Sequence, residues 1–334
     1  FYALLYPFLE LAFAALYFAD FGGIVRDLIV FTVMTVSTIG VVQKLRLREE
    51  IPCACLGMVF VLPMTWVTLT EDILMALEAL LMILMPIGFH IISLENIDKI
   101  LDLSLVIHNS QELVAYSQLG HWVLGGILLW FVISTLLDRF ARKNKLLRVV
   151  QYTGPSLIIF FGLALSLLDL IVHGLDIGFA TMRQLLSDPT SQWFQHFAGG
   201  LLMVFAGISE IVRMKTKNKL PFVRYGAPLF IFLTGVMFFF HQQLGALDAV
   251  VFSMTWHMIF GGLLIVGSVM RMLDILLFEE RKGFFWIWVV ALVIGAGMMI
   301  TYREPHGAYE PASQEQKIEF QQDLEMLKEK WSLI

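Results

Sequence analysis

Three segments of the sequence carry a histidine in the same setting, between a leading serine and a following glycine pair. They are SQLGHWVLGG at 117–126, SQWFQHFAGG at 191–200 and SMTWHMIFGG at 253–262, with His121, His196 and His257 as their histidines. Each serine is suited to cap a helix, which predicts the histidine in the first turn, where the helix dipole disfavours the charged imidazolium. Neutral imidazole is the form that binds a metal ion or a haem iron, so the repeat predicts such a site.

Each repeated segment follows a stretch that holds another histidine, and two of these, His173 and His241, end an apolar stretch. Asp169 lies four residues before His173, on the same helix face, where its carboxylate could orient the ring. Met254 and Met258 flank His257, and thioether with imidazole is a ligand set that suits copper. The predicted ligands are therefore His121, His173, His196, His241 and His257, supported by Asp169.

Haem is the alternative to a copper or other transition-metal ion at these histidines. Pairs such as His173 with His257, or His196 with His241, could ligate iron from neighbouring helices. A third interpretation makes the histidines polar anchors at the membrane boundary. We expect at least two of the five to share a metal or haem, which requires ring nitrogens within about 5 Å of each other.

A second candidate site is Cys53-Ala-Cys55, which follows the basic run between Lys44 and Arg48. Two thiols one residue apart can chelate a soft metal ion or exchange electrons, whereas a disulfide between them would be strained. We interpret them as redox or metal thiols.

The elements that position these residues are predicted to be membrane helices. Apolar residues make up 58% of the 334 positions and charged residues 15%, and the mean hydropathy is +0.77. Blocks of about twenty apolar residues match the roughly 30 Å hydrocarbon core of a bilayer. The sequence predicts an all-α polytopic bundle with repeated two-helix units and nine crossings, at 2–19, 24–43, 72–93, 121–137, 155–173, 196–212, 227–241, 256–274 and 285–302.

The distribution of basic residues predicts the orientation. Of the 23 Lys and Arg residues, 16 fall in the alternate connections 44–50, 138–148, 213–224 and 271–282. The positive-inside rule therefore places the amino end in the cytoplasm and the carboxyl end outside, and we expect the plasma membrane of a bacterium. The sequence has no cluster of basic residues of the kind that indicates a nucleic-acid partner. Since the sequence begins at Phe1, in the middle of an apolar stretch, we expect a truncated amino terminus.

The last segment, 312–334, differs in character from the rest of the chain. Ser313 and Gln316 fit a capping box, and the apolar residues that follow have the spacing of one helix face. These residues are Phe320, Leu324, Leu327 and Trp331. The pattern predicts an amphipathic helix, either lying on the membrane surface or docking another membrane subunit.

The first part of the chain resembles a known family. Its ordered motifs are Tyr6-Pro7 with Glu10, Ser37-Thr-Ile-Gly40, Cys53-x-Cys55, Leu62-Pro63-Met64-Thr65 and Glu71-Asp72. Over residues 1–90 this set is similar to the MauE/DoxX-like redox-associated membrane proteins, including those joined to heavy-metal-associated domains. The resemblance implies a small helical module tied to thiol redox or heavy-metal handling, with Cys53 and Cys55 as its functional pair.

These observations divide the chain into 1–94, a MauE/DoxX-like module, 95–310, a histidine-containing membrane domain, and 311–334, the tail helix. They predict heavy-metal handling, with copper as the expected metal, or membrane thiol redox. Two alternatives stay open: a haem-binding electron-transfer protein, and a non-catalytic subunit of a larger membrane complex. No hydrolase, kinase or nucleotide-binding motif is recognised in the sequence, and whether the protein is an enzyme is left open.

Overall fold

A computed structural model describes most of the chain. The described residues are 2–19, 21–47, 66–91, 110–140, 145–177, 183, 186, 191–216, 220, 222–241, 247–277, 282–309, 318 and 322. Ten α-helices form in these residues: α1 Tyr2–Phe18, α2 Gly23–Leu47, α3 Trp66–Ile91, α4 Ser110–Phe140, α5 Lys145–Val150, α6 Thr153–Ile177, α7 Gln192–Lys215, α8 Val223–Met237, α9 Leu247–Leu276 and α10 Lys282–Thr301. A 3₁₀ turn, Phe238–Phe240, extends α8.

The predicted all-helical class is confirmed, but the predicted nine crossings are not. Six helical stretches of the described chain are long and apolar enough to cross a bilayer, and they identify an integral membrane protein. They are Gly23–Leu47, Leu113–Phe140, Gln192–Lys215, Val223–Phe240, Asp248–Leu276 and Gly283–Thr301. In the expected crossings of α1 and α6, the residues searched give the shorter apolar pieces Phe8–Phe18 and Thr153–Leu167. Helix α3, which carries Glu71, Asp72 and Glu78, is not among these stretches of the described chain.

The chain divides into two compact units: the first comprises Phe1–Ile87 and Gln322–Ile334, and the second comprises Gly88–Gln321. In the first, α1, α2 and α3 share a small apolar core of Phe13, Val30, Met34 and Ala79. The hydroxyl of Ser37 donates a hydrogen bond of 2.7 Å to the buried carboxylate of Asp72, which joins α2 to α3. Both residues belong to the motifs that carry the family resemblance.

In the second unit six long helices form a closed ring. Helix α4 packs on α6, α6 on α7, α7 on α8, α8 on α9, α9 on α10, and α10 on α4 again. The order round the ring is the order along the chain, as expected when short connections join neighbouring helices. Three consecutive hairpins therefore make the ring, and the histidine helices α4, α7 and α9 alternate with α6, α8 and α10.

The ring closes through glycines placed four residues after each repeated histidine. A Cβ atom at Gly125 would lie 2.8 Å from the carbonyl oxygen of Ala296 in α10, and one at Gly200 would lie 2.5 Å from that of Gly162 in α6. At Gly261 the corresponding distance to the Gly235 carbonyl of α8 is 2.6 Å. Each histidine helix thus contacts the preceding helix of the ring through a glycine, the close approach that small residues permit in membranes.

One of the three predicted serine caps is confirmed. Ser191 caps α7, where its hydroxyl accepts a 3.1 Å hydrogen bond from the Phe194 backbone N–H. Ser117 and Ser253 instead lie inside helices that begin at Ser110 and Leu247. His121 and His257 are therefore not in a first turn, and the helix dipole does not explain their protonation state.

The tail and the cysteine pair fall largely outside these ranges. Cys53 and Cys55 are not among the described residues, and only Ile318 and Gln322 of the predicted tail segment are. The proposed docking of another subunit through 312–334 stays a prediction.

Ring closure gives a direct test in Gly125 and its neighbour Gly126. We expect Gly125→Ala to destabilise the protein by about 1–3 kcal/mol, the usual cost of overpacking, since the added methyl meets α10 backbone. Gly126→Ala is the matched control, because a Cβ there meets nothing within 4 Å. The measurement is the thermal midpoint in detergent, and equal midpoints for the two variants would contradict the close contact.

Candidate functional site

A cavity of about 200 Å³ lies inside the ring, at the end that carries the repeated histidines. Every ring helix contributes to its wall, which is mostly apolar but includes His121, His196, His241 and His257. The structure thus brings four of the five predicted histidine ligands together. We call this end of the ring the histidine end.

His121 and His257 form the closest pair. Their Nε2 atoms lie 3.4 Å apart, well within the 5 Å expected for two ligands of one ion. His257 is 2% exposed, so this pair is shielded from bulk water. Helices α4 and α9 supply the two rings from different hairpins, and this explains why sequence spacing alone could not predict the pair.

Backbone carbonyls determine which nitrogen of each ring carries the proton. Nδ1 of His121 lies 2.7 Å from the Ser117 carbonyl oxygen, and Nδ1 of His257 lies 2.7 Å from that of Ser253. A carbonyl oxygen only accepts hydrogen bonds, so each Nδ1–H must donate. In the neutral ring Nε2 then has a lone pair and no hydrogen.

The same tautomer follows for His241, through a side chain instead of the backbone. The Gln195 amide nitrogen donates to the Phe240 carbonyl at 2.6 Å, which turns the amide oxygen toward His241. That oxygen accepts from His241 Nδ1 at 2.9 Å, and Nε2 is again left with a lone pair. Burial, and next the nearby His257, hold the pKa of His241 well below its ordinary value, so this ring is neutral.

Ring contacts connect the four histidines in a row. His241 lies next to His257, with ring centroids 4.2 Å apart. His196 stacks on His241, with ring centroids 5.5 Å apart and the two planes 22° apart. The contacts therefore run from His121 to His257, from His257 to His241 and from His241 to His196.

Two lone pairs that face each other at 3.4 Å repel unless a cation lies between them. If a metal ion lay about 2.0–2.1 Å from both Nε2 atoms, the angle between its two bonds to nitrogen would be roughly 110°, which is close to the tetrahedral angle. The hydrogen bonds from Nδ1 to carbonyl and amide oxygens are the outer contacts that orient metal-bound histidines in proteins. The His121–His257 pair thus has the distance and tautomers of a two-ligand metal site.

Over the described residues, no group of three or more His, Cys, Asp and Glu side chains is gathered closely enough to hold an ion. Other side chains of the cavity could complete the coordination. His241 is adjacent to the pair, and the thioethers of Met203, Met237 and Met299 line the same cavity. Met254 and Met258, the flanking methionines of the sequence pattern, are buried but do not line it.

Gln192 places an amide oxygen at the cavity. Its side chain lines the cavity and is 8% exposed, and within the described part of the chain its amide oxygen has no hydrogen-bond partner. A buried carbonyl oxygen without a donor costs free energy, and a cation or a donor group in the cavity would offset it.

A polar network covers the cavity beyond α10. Tyr302 stacks on His121 with centroids 4.1 Å apart, and its hydroxyl donates to Glu304 at 3.1 Å. The Ser117 hydroxyl also donates to Glu304. Burial, and then the Glu304 carboxylate, raise the pKa of the Tyr302 phenol, which therefore stays protonated as a donor.

Some predicted site residues cannot be placed from this structure. Asp169 and His173 belong to α6, but their side chains are outside the described part, as are Cys53 and Cys55. The sequence patterns did not predict Gln192, Gln195, Tyr302 or Glu304. Gln192 and Gln195 lie inside the second repeated segment, and this position was the one indication in the sequence that they belong to the site.

Comparisons with models of known protein families, with curated proteins and with solved structures find no match to this chain. The site must therefore be interpreted from its own chemistry.

Proposed function

We propose that this chain is an integral membrane protein of heavy-metal handling that binds copper at the histidine end of the ring. The observation that carries the proposal is the 3.4 Å approach of His121 Nε2 to His257 Nε2, each with its Nδ1 proton committed to a carbonyl oxygen. The methionines of the cavity wall favour the cuprous ion, because thioethers are soft ligands.

Haem fits these residues less well than an ion does. The cavity of about 200 Å³ is smaller than the roughly 300–1,000 Å³ of pockets for organic ligands. His196 and His241 face each other as stacked rings, whereas axial ligands aim their nitrogens at the iron from opposite sides.

The orientation proposed for the protein follows the basic residues. The connections 138–148 and 213–224 join helices at the end opposite the histidines, and they are rich in Lys and Arg. The positive-inside rule then places the histidine end outside the cytoplasm. The thiols of Cys53 and Cys55 are proposed to act in metal or redox exchange, and the histidine site does not depend on them.

The first test of the proposal removes one ligand. We expect His257→Ala to weaken Cu⁺ binding by more than about 100-fold. Mutating a residue that only hydrogen-bonds to a ligand typically lowers metal affinity by roughly 10–100-fold, and removing the ligand itself lowers it further. His306→Ala is the matched control, because His306 is exposed and does not line the cavity. Competition with a Cu⁺ chelator in detergent measures the affinity, and a Soret band in the purified protein would decide for haem.

A second test concerns metal selectivity. In the variant Met203→Leu, Met237→Leu, Met299→Leu we expect weaker Cu⁺ binding with Co²⁺ binding little changed, because only the soft ion uses thioethers. Leucine nearly conserves the volume of methionine, so packing changes little. Met254→Leu with Met258→Leu is the control pair outside the cavity wall. An equal loss for both ions would contradict a thioether contribution.

The third test concerns the hydrogen bond that orients His241. Gln195→Leu should lower Cu⁺ affinity by about 10–100-fold, the usual effect of removing such a partner, provided His241 ligates the ion. Gln151→Leu has the same chemical change at a buried glutamine outside the cavity wall and should leave the affinity unchanged. If Gln195→Leu binds as the wild type does, His241 is not a ligand.

A further inference from the structure

Charged residues recur at the opposite ends of the same three helices. Seventeen positions after their histidines, α4, α7 and α9 carry Asp138, Arg213 and Asp274. Seventeen residues of helix span about 26 Å, which is close to the roughly 30 Å thickness of the hydrocarbon core. The histidines and these charges thus mark the two ends of the ring, and we call the second the arginine end.

Two ion pairs at the arginine end cross the interior of the ring. Arg213 Nη2 of α7 lies 2.8 Å from Asp138 Oδ2 of α4. Arg139 Nη1 of α4 lies 3.1 Å from Asp274 Oδ2 of α9. Since α4 has α6 and α10 as its ring neighbours, both pairs join helices that are not adjacent in the ring.

Pairs within single helices complete this cluster. The Arg213 guanidinium holds both Glu210 oxygens, at 2.8 and 2.7 Å, and Arg271 pairs with Asp274. The six charges balance, with three carboxylates and three guanidinium groups. They are well buried, since the side chains of Arg213 and Asp274 are 5% and 0% exposed.

Burying six charges inside a membrane bundle is an expensive way to close a ring. Well-packed apolar side chains would fill the space at similar or lower cost. Ionisable groups that face the interior of a membrane bundle characteristically mark the route of an ion. The cluster lies at the far end of the ring interior that holds the proposed metal site.

The layer between the two ends is largely apolar, and its other buried hydroxyls, such as that of Ser134, donate to backbone carbonyls. Leu128, Phe260 and Leu292 belong to the buried core of this layer. Ser268 of α9 lies eleven positions after His257, on the same helix face, between the histidine and Arg271. It is 0% exposed, and among the residues that the structure describes its hydroxyl has no hydrogen-bond partner.

We propose that the metal ion bound at the histidine end crosses the membrane along the interior of the ring, and that the cross-ring ion pairs are its closed gate. This inference rests on the proposed function, because the histidine cavity supplies the ion. Ser268 offers an oxygen on the way, and the apolar layer must part for the ion to pass, as in hydrophobic gates that open by wetting.

The test measures binding and transport separately in the whole chain. The protein is reconstituted in phosphatidylcholine vesicles that contain a Cu⁺ chelator, and Cu⁺ is supplied outside with ascorbate. We expect saturable uptake by the wild type and its loss in His257→Ala. Asp138→Asn should raise uptake by about tenfold, the factor for roughly one charge-assisted hydrogen bond that no longer holds the gate closed. Its Cu⁺ affinity at the histidine end should not change.

A matched control is the buried pair Arg26–Asp27 of α2, in the other compact unit. Asp27→Asn makes the same change and should leave uptake unchanged. Arg139→Gln breaks the second cross-ring pair and should also raise uptake by about tenfold. This variant tests the gate independently if Asp138→Asn does not fold.

The outcomes separate the two proposals. Wild-type protein that binds Cu⁺ but shows no saturable uptake overturns the transport inference and leaves the metal site intact. If Asp138→Asn and Arg139→Gln both take up Cu⁺ at the wild-type rate, the cross-ring ion pairs are not a gate. Wild-type protein that binds no Cu⁺ removes the proposed function and the inference with it.

Discussion

The close approach of helix backbones at Gly125, Gly200 and Gly261 is the constraint on which the second unit depends. Lipid gives helices no hydrophobic reason to associate, so dispersion contacts at short range must hold them together. Each of these glycines brings its helix against the carbonyl groups of the preceding helix in the ring. Because the contact recurs at one position of the repeat, the three hairpins adopt equivalent places, and their histidines converge on one cavity.

Convergence alone would not make a ligand site, since an imidazole can present either nitrogen. In His121 and His257 a carbonyl oxygen of the preceding helical turn takes the Nδ1 proton, and in His241 the Gln195 amide does so. All three rings therefore offer Nε2 lone pairs. Protein-bound ions need ligands that are already deprotonated, and in these three rings carbonyl and amide oxygens meet this need.

Much of this could be predicted from the sequence, and the failures have physical causes. Apolar blocks predicted helices, because they are a local pattern. The caps at Ser117 and Ser253 were wrong since α4 and α9 extend further toward their amino ends than the apolar blocks do. Nine crossings were predicted by counting every apolar block, whereas six helical stretches of the described chain are long and apolar enough to span a bilayer. Glu304 and Tyr302 meet Ser117 and Ser253 only through the tertiary fold, which no spacing in the sequence reveals.

The cross-ring ion pairs also bear on how the ring is made. Arg213 follows Asp138 by 75 residues, and Asp274 follows Arg139 by 135. A ribosome adds about 5–20 residues per second, so α4 exists for seconds before either partner is synthesised. During that time its two adjacent charges have only each other and the lipid headgroups. The first hairpin therefore depends on later ones for the ion-pair partners of both charges, and a chain cut short after α7 would leave Arg139 without its partner from α9. Both cross-ring ion pairs can form only after the third hairpin has entered the bilayer, because α9 supplies Asp274.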